Sequence, residues 1–188
     1  MELVNFIIDM DPKMRFMFLT FAVGIPSFVV YYKHEVLGDT KPHPITWLIW
    51  FVTQVAATVG MWIGGGGYGM YYYVFYSFTI FLIFCTTLYM NGGMDVVKKD
   101  IVCLLVCVIG IAIWALFDNP VLGIIILTLV DVYAFDPTYR KSFYKPWSES
   151  MWGWGLSLPI YLFSVLAMEE YNPLTVVYPI GMFICTTI

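Results

Sequence analysis

Apolar residues in this chain run in seven long blocks, 16–32, 45–63, 71–90, 101–117, 120–135, 151–168 and 174–188, separated by short clusters of polar, glycine and proline residues. A helix needs about 17 to 25 apolar residues to cross a bilayer, because every backbone polar group there must be bonded within the segment. The pattern therefore predicts seven membrane-spanning helices. The seventh is the shortest and ends with no polar tail. Blocks four and five meet at FDNP, residues 117–120, where Asp and Asn before Pro predict a tight turn with Pro120 in the first helical position. Asp9 and Asp11 precede the first block and no small-residue cleavage site ends it, so it is a retained span rather than a signal peptide.

Composition strengthens this picture. Hydrophobic residues make up 61% of the 188 and charged residues 12%, with a mean hydropathy of +0.81, whereas soluble domains carry about 25% charge. The chain is thus expected to be an all-α integral membrane protein with the lipid bilayer as its surroundings. A net charge of −4 is spread too thinly to make an acidic binding surface, and nucleic acid is excluded as a partner.

Cations set the orientation, since short cytoplasmic loops carry lysine and arginine in excess. The loops after spans one, three and five hold Lys33, Lys41, Lys98, Lys99, Arg140, Lys141 and Lys145, and the other side holds only Lys13 and Arg15. The N-terminus is expected outside and the C-terminus in the cytoplasm.

Two of those cytoplasmic loops look alike. GIPSFVVYYKHEVLGDTKPHPITW (24–47) and DPTYRKSFYKPWSES (136–150) each place a proline at the end of an apolar block, then lysine, then a second proline. Pairing Pro26 with Pro137 and Trp47 with Trp152 suggests two copies of a three-helix unit. FLIFCTTL (81–88) and GMFICTTI (181–188) add a second match, with CTT repeated 100 residues apart at the end of each third helix. With an odd number of spans per unit and one extra helix between, both units point the same way. The expected architecture is 3+1+3 parallel triple-helix bundles: an external segment 1–15, a first bundle 16–90, a linker helix within 91–118 and a second bundle 119–188.

This layout, and the loop PTYRKSFYKPWSES above all, resembles the SWEET and PQ-loop transporters. The resemblance implies alternating access between the two bundles, a small sugar-like substrate near mid-membrane and hinges at helix prolines, here Pro26, Pro137 and Pro159. The chain also departs from the family pattern. Ser27 and Thr138 stand where a glutamine follows the loop proline, Gln54 stands where the fourth hinge proline is expected, and the third helices lack the mid-membrane asparagines of sugar carriers. Nicotinamide riboside carriers share the 3+1+3 layout and extend the substrate class to vitamin-like molecules. Some PQ-loop relatives are sorting receptors, so a non-transporting receptor or assembly protein is the alternative, and homo-oligomerisation stays open.

Polar residues within the apolar blocks are the candidate site. Asp131 is the one acid well inside a block, six residues before Pro137, and Thr20 occupies the matching position before Pro26. Intramembrane acids are costly and usually functional. Asp131 is therefore a candidate to bind substrate or carry a coupled proton, against the plainer role of a group reaching the interface or capping the loop. Thr128 shares its helix face. Trp47, Trp50 and Gln54 share one face of span two, and Tyr76, Trp152, Asn172 and Tyr178 complete an aromatic, hydrogen-bonding set suited to a small polar molecule. Tryptophan and tyrosine also anchor helices at membrane interfaces, which is the competing role for each ring. Pro26 and Pro137 could equally end their helices, and Pro159, expected mid-span, is the stronger hinge.

Nothing else in the chain calls for chemistry. GGGG, residues 64–67, lacks the Lys and Ser or Thr of a phosphate loop and reads as a turn. Cys103 and Cys107 are one helical turn apart with no histidine in any span, so no metal and no cofactor are expected. A single buried acid, with no paired serine and histidine, argues against an enzyme.

Overall fold

The computed structural model describes residues 9–38, 44–94, 96, 98–135, 139, 143–144 and 154–187. Among these it forms seven α-helices: α1 (Pro12–Tyr31), α2 (Pro44–Ile63), α3 (Tyr68–Asn91), α4 (Lys98–Phe117), α5 (Pro120–Ala134), α6 (Ser157–Leu166) and α7 (Pro173–Thr187). The four helices α1 to α4 are long and apolar enough to cross a membrane, and α5 to α7 are shorter apolar helices. This is the build of a multi-pass membrane protein.

Helix starts follow from local chemistry. The Asp11 carboxylate accepts hydrogen bonds from the backbone N–H groups of Lys13 (2.7 Å) and Met14 (3.3 Å), with Pro12 in the first helical position. Asn119 does the same for α5 by accepting from the Leu122 N–H at 3.1 Å, and Asp118 takes the turn with a φ of 49°. The expected FDNP turn is thus present. Gly92, left-handed at φ 68°, closes α3.

Pro26 sits inside α1 rather than ending it, and the helix runs on into a π-helical turn, Tyr32–Val36. The other interior proline is Pro179 in α7. Pro159 is not mid-helix. It is the third residue of α6, in the first turn, where a missing N–H costs no intrahelical bond. Pro137 lies outside the described residues, as does Trp152.

The packing order has a pattern. α3 lies against both α1 and α2, and α7 against both α5 and α6. Across the middle, α1 meets α6 and α2 meets α5, while α3 also touches α6 and α7 also touches α2. Exchanging α1, α2 and α3 for α5, α6 and α7 maps each of these pairs onto another. α4 stands outside the exchange, packed on α5 and α2 through the buried Cys103 and Cys107. Its other faces expose large apolar side chains such as Leu105, Val108 and Leu116, as lipid contact requires. The CTT segments differ in setting, however: Cys85 is exposed and Thr87 buried, whereas Cys185 is buried and Thr187 exposed.

One close approach depends on glycine. A Cβ on Gly69 would meet the Ser164 carbonyl oxygen at 2.6 Å and the Met168 nitrogen at 2.8 Å, so α3 and α6 touch backbone to backbone there.

Candidate functional site

Most buried hydroxyls in the bundle are spent locally. Thr20 donates to the Phe16 carbonyl (2.8 Å), Thr87 to Ile83 (2.9 Å) and Thr128 to Ile124 (2.8 Å), each bonding back along its own helix. In an apolar interior this is the cheapest way to satisfy a hydroxyl. Groups that reach across helices instead are therefore informative, and two of them meet at Asp131.

Asp131 is 1% exposed. Thr53 of α2 donates to its Oδ1 at 2.7 Å, and the Tyr178 hydroxyl of α7 donates to its Oδ2 at 2.9 Å. The carboxyl thus joins α2, α5 and α7 rather than facing the surface. Tyr76 and Tyr161 are near neighbours of the carboxyl. Thr53 has a further property: its hydroxyl is also 3.1 Å from the carbonyls of Ile49 and Trp50. It can give its one proton to an ionised Asp131, or turn to a carbonyl and accept a proton from a neutral Asp131. The same side chain therefore suits both charge states of the acid.

Beside Thr53, Gln54 is fully buried and poorly satisfied. Its Nε2 makes only long contacts, 3.4 Å each, to Tyr73 O and Thr58 Oγ1, and its Oε1 has no partner. One helical turn away the Trp50 indole N–H is buried and unpartnered as well. A polar chain continues from here: Thr58 meets Ser77 at 3.3 Å, Ser77 donates to the Tyr73 carbonyl at 2.8 Å, and the Tyr73 hydroxyl meets Ser164 of α6 at 2.9 Å.

Of the residues expected at the site, the structure groups Asp131, Tyr178, Gln54 and Tyr76. Thr20, fully buried, uses its hydroxyl within α1. Trp47 belongs to an aromatic cluster towards one end of the bundle, 5.0 Å from Trp50 and 5.6 Å from Tyr31 between ring centroids. Asn172 is not in the interior of α7. It lies in the turn before that helix, where its Oδ1 accepts from the Leu174 N–H (3.0 Å) and its Nδ2 donates to the Gly64 carbonyl (2.7 Å). An asparagine ahead of Pro173 is a natural helix cap through Oδ1, and with Nδ2 bonded to Gly64 neither end of its amide is free.

Thr53, Tyr73 and Ser164 were not expected. Thr53 adjoins Gln54 in sequence, and that adjacency is the one signal that pointed to it. Among the described residues no three metal-ligating side chains are gathered. Compared with protein-family models, curated proteins and solved structures, the chain matches none.

Proposed function

We propose that the protein is an alternating-access membrane transporter of a small polar molecule, built from two three-helix units, α1–α3 and α5–α7, with α4 as linker. The observation that carries this reading is the buried Asp131 carboxyl, held at the junction by a hydroxyl from each unit, Thr53 and Tyr178. A group bonded to both units is the natural place for a substrate or proton to bias their relative position. The exchange symmetry of the helix contacts supports the two-unit description. The interior prolines Pro26 and Pro179 each remove a backbone hydrogen bond and supply one bend per unit. In this reading the lysine-bearing loops are cytoplasmic and the Gly64–Gly67 turn is external.

The two states of Thr53 fit a proton coupled to transport. A neutral Asp131 loses its charge at the junction, and the Thr53 hydroxyl then turns back to its own helix. A carboxyl satisfied on both oxygens also fits a static packing centre in a receptor or assembly protein, and one experiment separates the two. Proteoliposomes are incubated with a mixture of polar metabolites across a pH gradient, and the lumen is analysed by mass spectrometry. At least one compound should accumulate with wild-type protein, and Asp131→Asn should lose the pH-driven part. No uptake above protein-free vesicles, or uptake indifferent to Asp131→Asn at every pH gradient, overturns the coupled-transport reading.

A further inference from the structure

Two buried polar atoms of the bundle have no partner within a single turn of α2: the Gln54 Oε1, an acceptor, and the Trp50 Nε1–H, a donor. Leaving either unpaired inside an apolar bundle carries the full desolvation penalty of the group with nothing to offset it. The Gln54 assignment is also robust to turning its amide over, because that would set Oε1 at 3.4 Å from the Tyr73 carbonyl oxygen, acceptor against acceptor. Its Nε2 therefore stays towards α3, and Oε1 stays free.

Residues four apart on a helix lie on one face, with Cβ atoms about 5–6 Å apart. Trp50 and Gln54 thus share a face of α2, and Thr53, the residue before Gln54, holds Asp131. The surroundings are flat and apolar: the Trp50 ring is 5.8 Å from Phe135, and Tyr76 is stacked on Tyr72 at 5.9 Å. Charge complementarity narrows the ligand further. Neither orphan is charged, and Asp131 already accepts from Thr53 and Tyr178. Among the described residues an anion here would meet that carboxylate with no cation shown beside it.

From this we infer that Gln54 and Trp50 form a recognition site for an uncharged, flat molecule carrying a hydrogen-bond donor and an acceptor side by side on one edge, as in a primary carboxamide or a lactam. The donor pairs with Gln54 Oε1 and the acceptor with Trp50 Nε1. This rests on the transporter reading for its meaning but not for its test, since binding needs no movement across a membrane.

The probes are benzamide, which has both groups, acetophenone, which keeps the carbonyl and lacks the donor, and benzoate, which lacks the donor and is charged. Binding to detergent-purified protein is measured by calorimetric titration, with the thermal midpoint of each variant as a folding control. Benzamide should bind wild-type protein about tenfold more tightly than acetophenone, as one unpaired buried group requires, and benzoate should be weaker still. Gln54→Met keeps the side-chain length and Trp50→Phe keeps an aromatic ring, and each should weaken benzamide about tenfold. Should Gln54→Met fail to fold, Trp50→Phe reads the donor half by itself. No benzamide binding to wild-type protein, equal affinity for benzamide and acetophenone, or benzamide affinity unchanged in the folded variants overturns the inference; the first result would leave the two atoms to water. Benzamide bound through Gln54 and Trp50, with no compound taken up above protein-free vesicles, would sink the transport reading alone. Carriage only of molecules lacking such an edge would sink this inference alone.

Discussion

The two ends of the bundle are closed by different physics. At one end the glycine turn after α2 is hydrogen-bonded to the turn before α7: Glu169 N–H donates to Gly66 O (3.3 Å), Glu170 N–H to Gly65 O (3.2 Å) and Asn172 Nδ2 to Gly64 O. Lys13 adds its ammonium, donating to the carbonyls of Met168 (2.6 Å) and Glu169 (2.9 Å) at the end of α6. Among the described residues at the other end, aromatic rings supply most of the closure. Phe135 lies 5.5 Å from Trp154 and 5.8 Å from both Trp50 and Tyr139, while hydrogen bonds link the Tyr139 hydroxyl to the Cys185 carbonyl (2.6 Å) and the Tyr32 hydroxyl to Thr86 Oγ1 (2.7 Å). Hydrogen bonds between fixed backbones hold at one separation and fail together. Rings in contact slide and tilt at small cost. In the transporter reading the aromatic end is the one that yields first.

Substitutions at the two ends can break or sharpen that contrast. The largest effect is expected from Gly69→Ala at the hydrogen-bonded end, where the new methyl meets backbone atoms of α6 that cannot swing away. It should destabilise the protein by about 1–3 kcal/mol, seen as a lower thermal midpoint in detergent. An unchanged midpoint would mean that α3 and α6 are not tightly held, and the contrast fails.

A smaller loss is expected from Lys13→Met, which removes two charge-assisted hydrogen bonds and the ammonium 5.1 Å from the Tyr171 ring centroid. About 1.5 kcal/mol is expected, the low end for hydrogen bonds made by a charged group, because Lys13 is only half-buried. The smallest effect belongs to Tyr139→Phe at the aromatic end, about 0.5–1 kcal/mol for one neutral hydrogen bond. Its clearer signature is chemical. With Cys85, Cys103 and Cys107 replaced by alanine, maleimide labelling of the buried Cys185 should speed up several-fold as the end loosens. A midpoint loss as large as that of Gly69→Ala, with labelling unchanged, would show the aromatic end to be the rigid one.

The helices were legible because a backbone in lipid must satisfy itself, which turns each span into a long apolar block. Helix α4, Lys98–Phe117, and the turn at Asn119 and Pro120 follow almost residue for residue. The sixth helix is less clear in sequence, since the regular helix begins at Ser157, after a turn at Leu156, and that puts Pro159 in a first turn instead of a middle. Asp131 stood out as an acid among apolar neighbours. Its partners did not, because Thr53 and Tyr178 are 78 and 47 residues away and a threonine or tyrosine in a span is ordinary. Asn172 enters the expected site as the seventh-span counterpart of the polar stripe in span three, and only the tertiary structure shows its amide spent on a cap and a glycine carbonyl. The CTT repeat illustrates the same limit: identical letters sit on opposite sides of the burial pattern at 85–87 and 185–187.

The π-helical turn after α1 has a consequence for phase. Thr20, Gly24 and Ser27 mark the buried side of α1, and Val36, nine residues beyond Ser27, is 1% exposed. Nine residues are two and a half turns at 3.6 per turn, so in an unbroken α-helix Val36 would point away from that side. The wider π turn takes up extra chain and swings it back, acting as a vernier between the membrane-embedded part of α1 and the segment that follows. Such an insertion can in principle be handed along a helix one residue at a time. Each step turns only the residue it passes, whereas losing the insertion altogether would rotate the end of α1 by about 100° and turn Val36 away from Trp47.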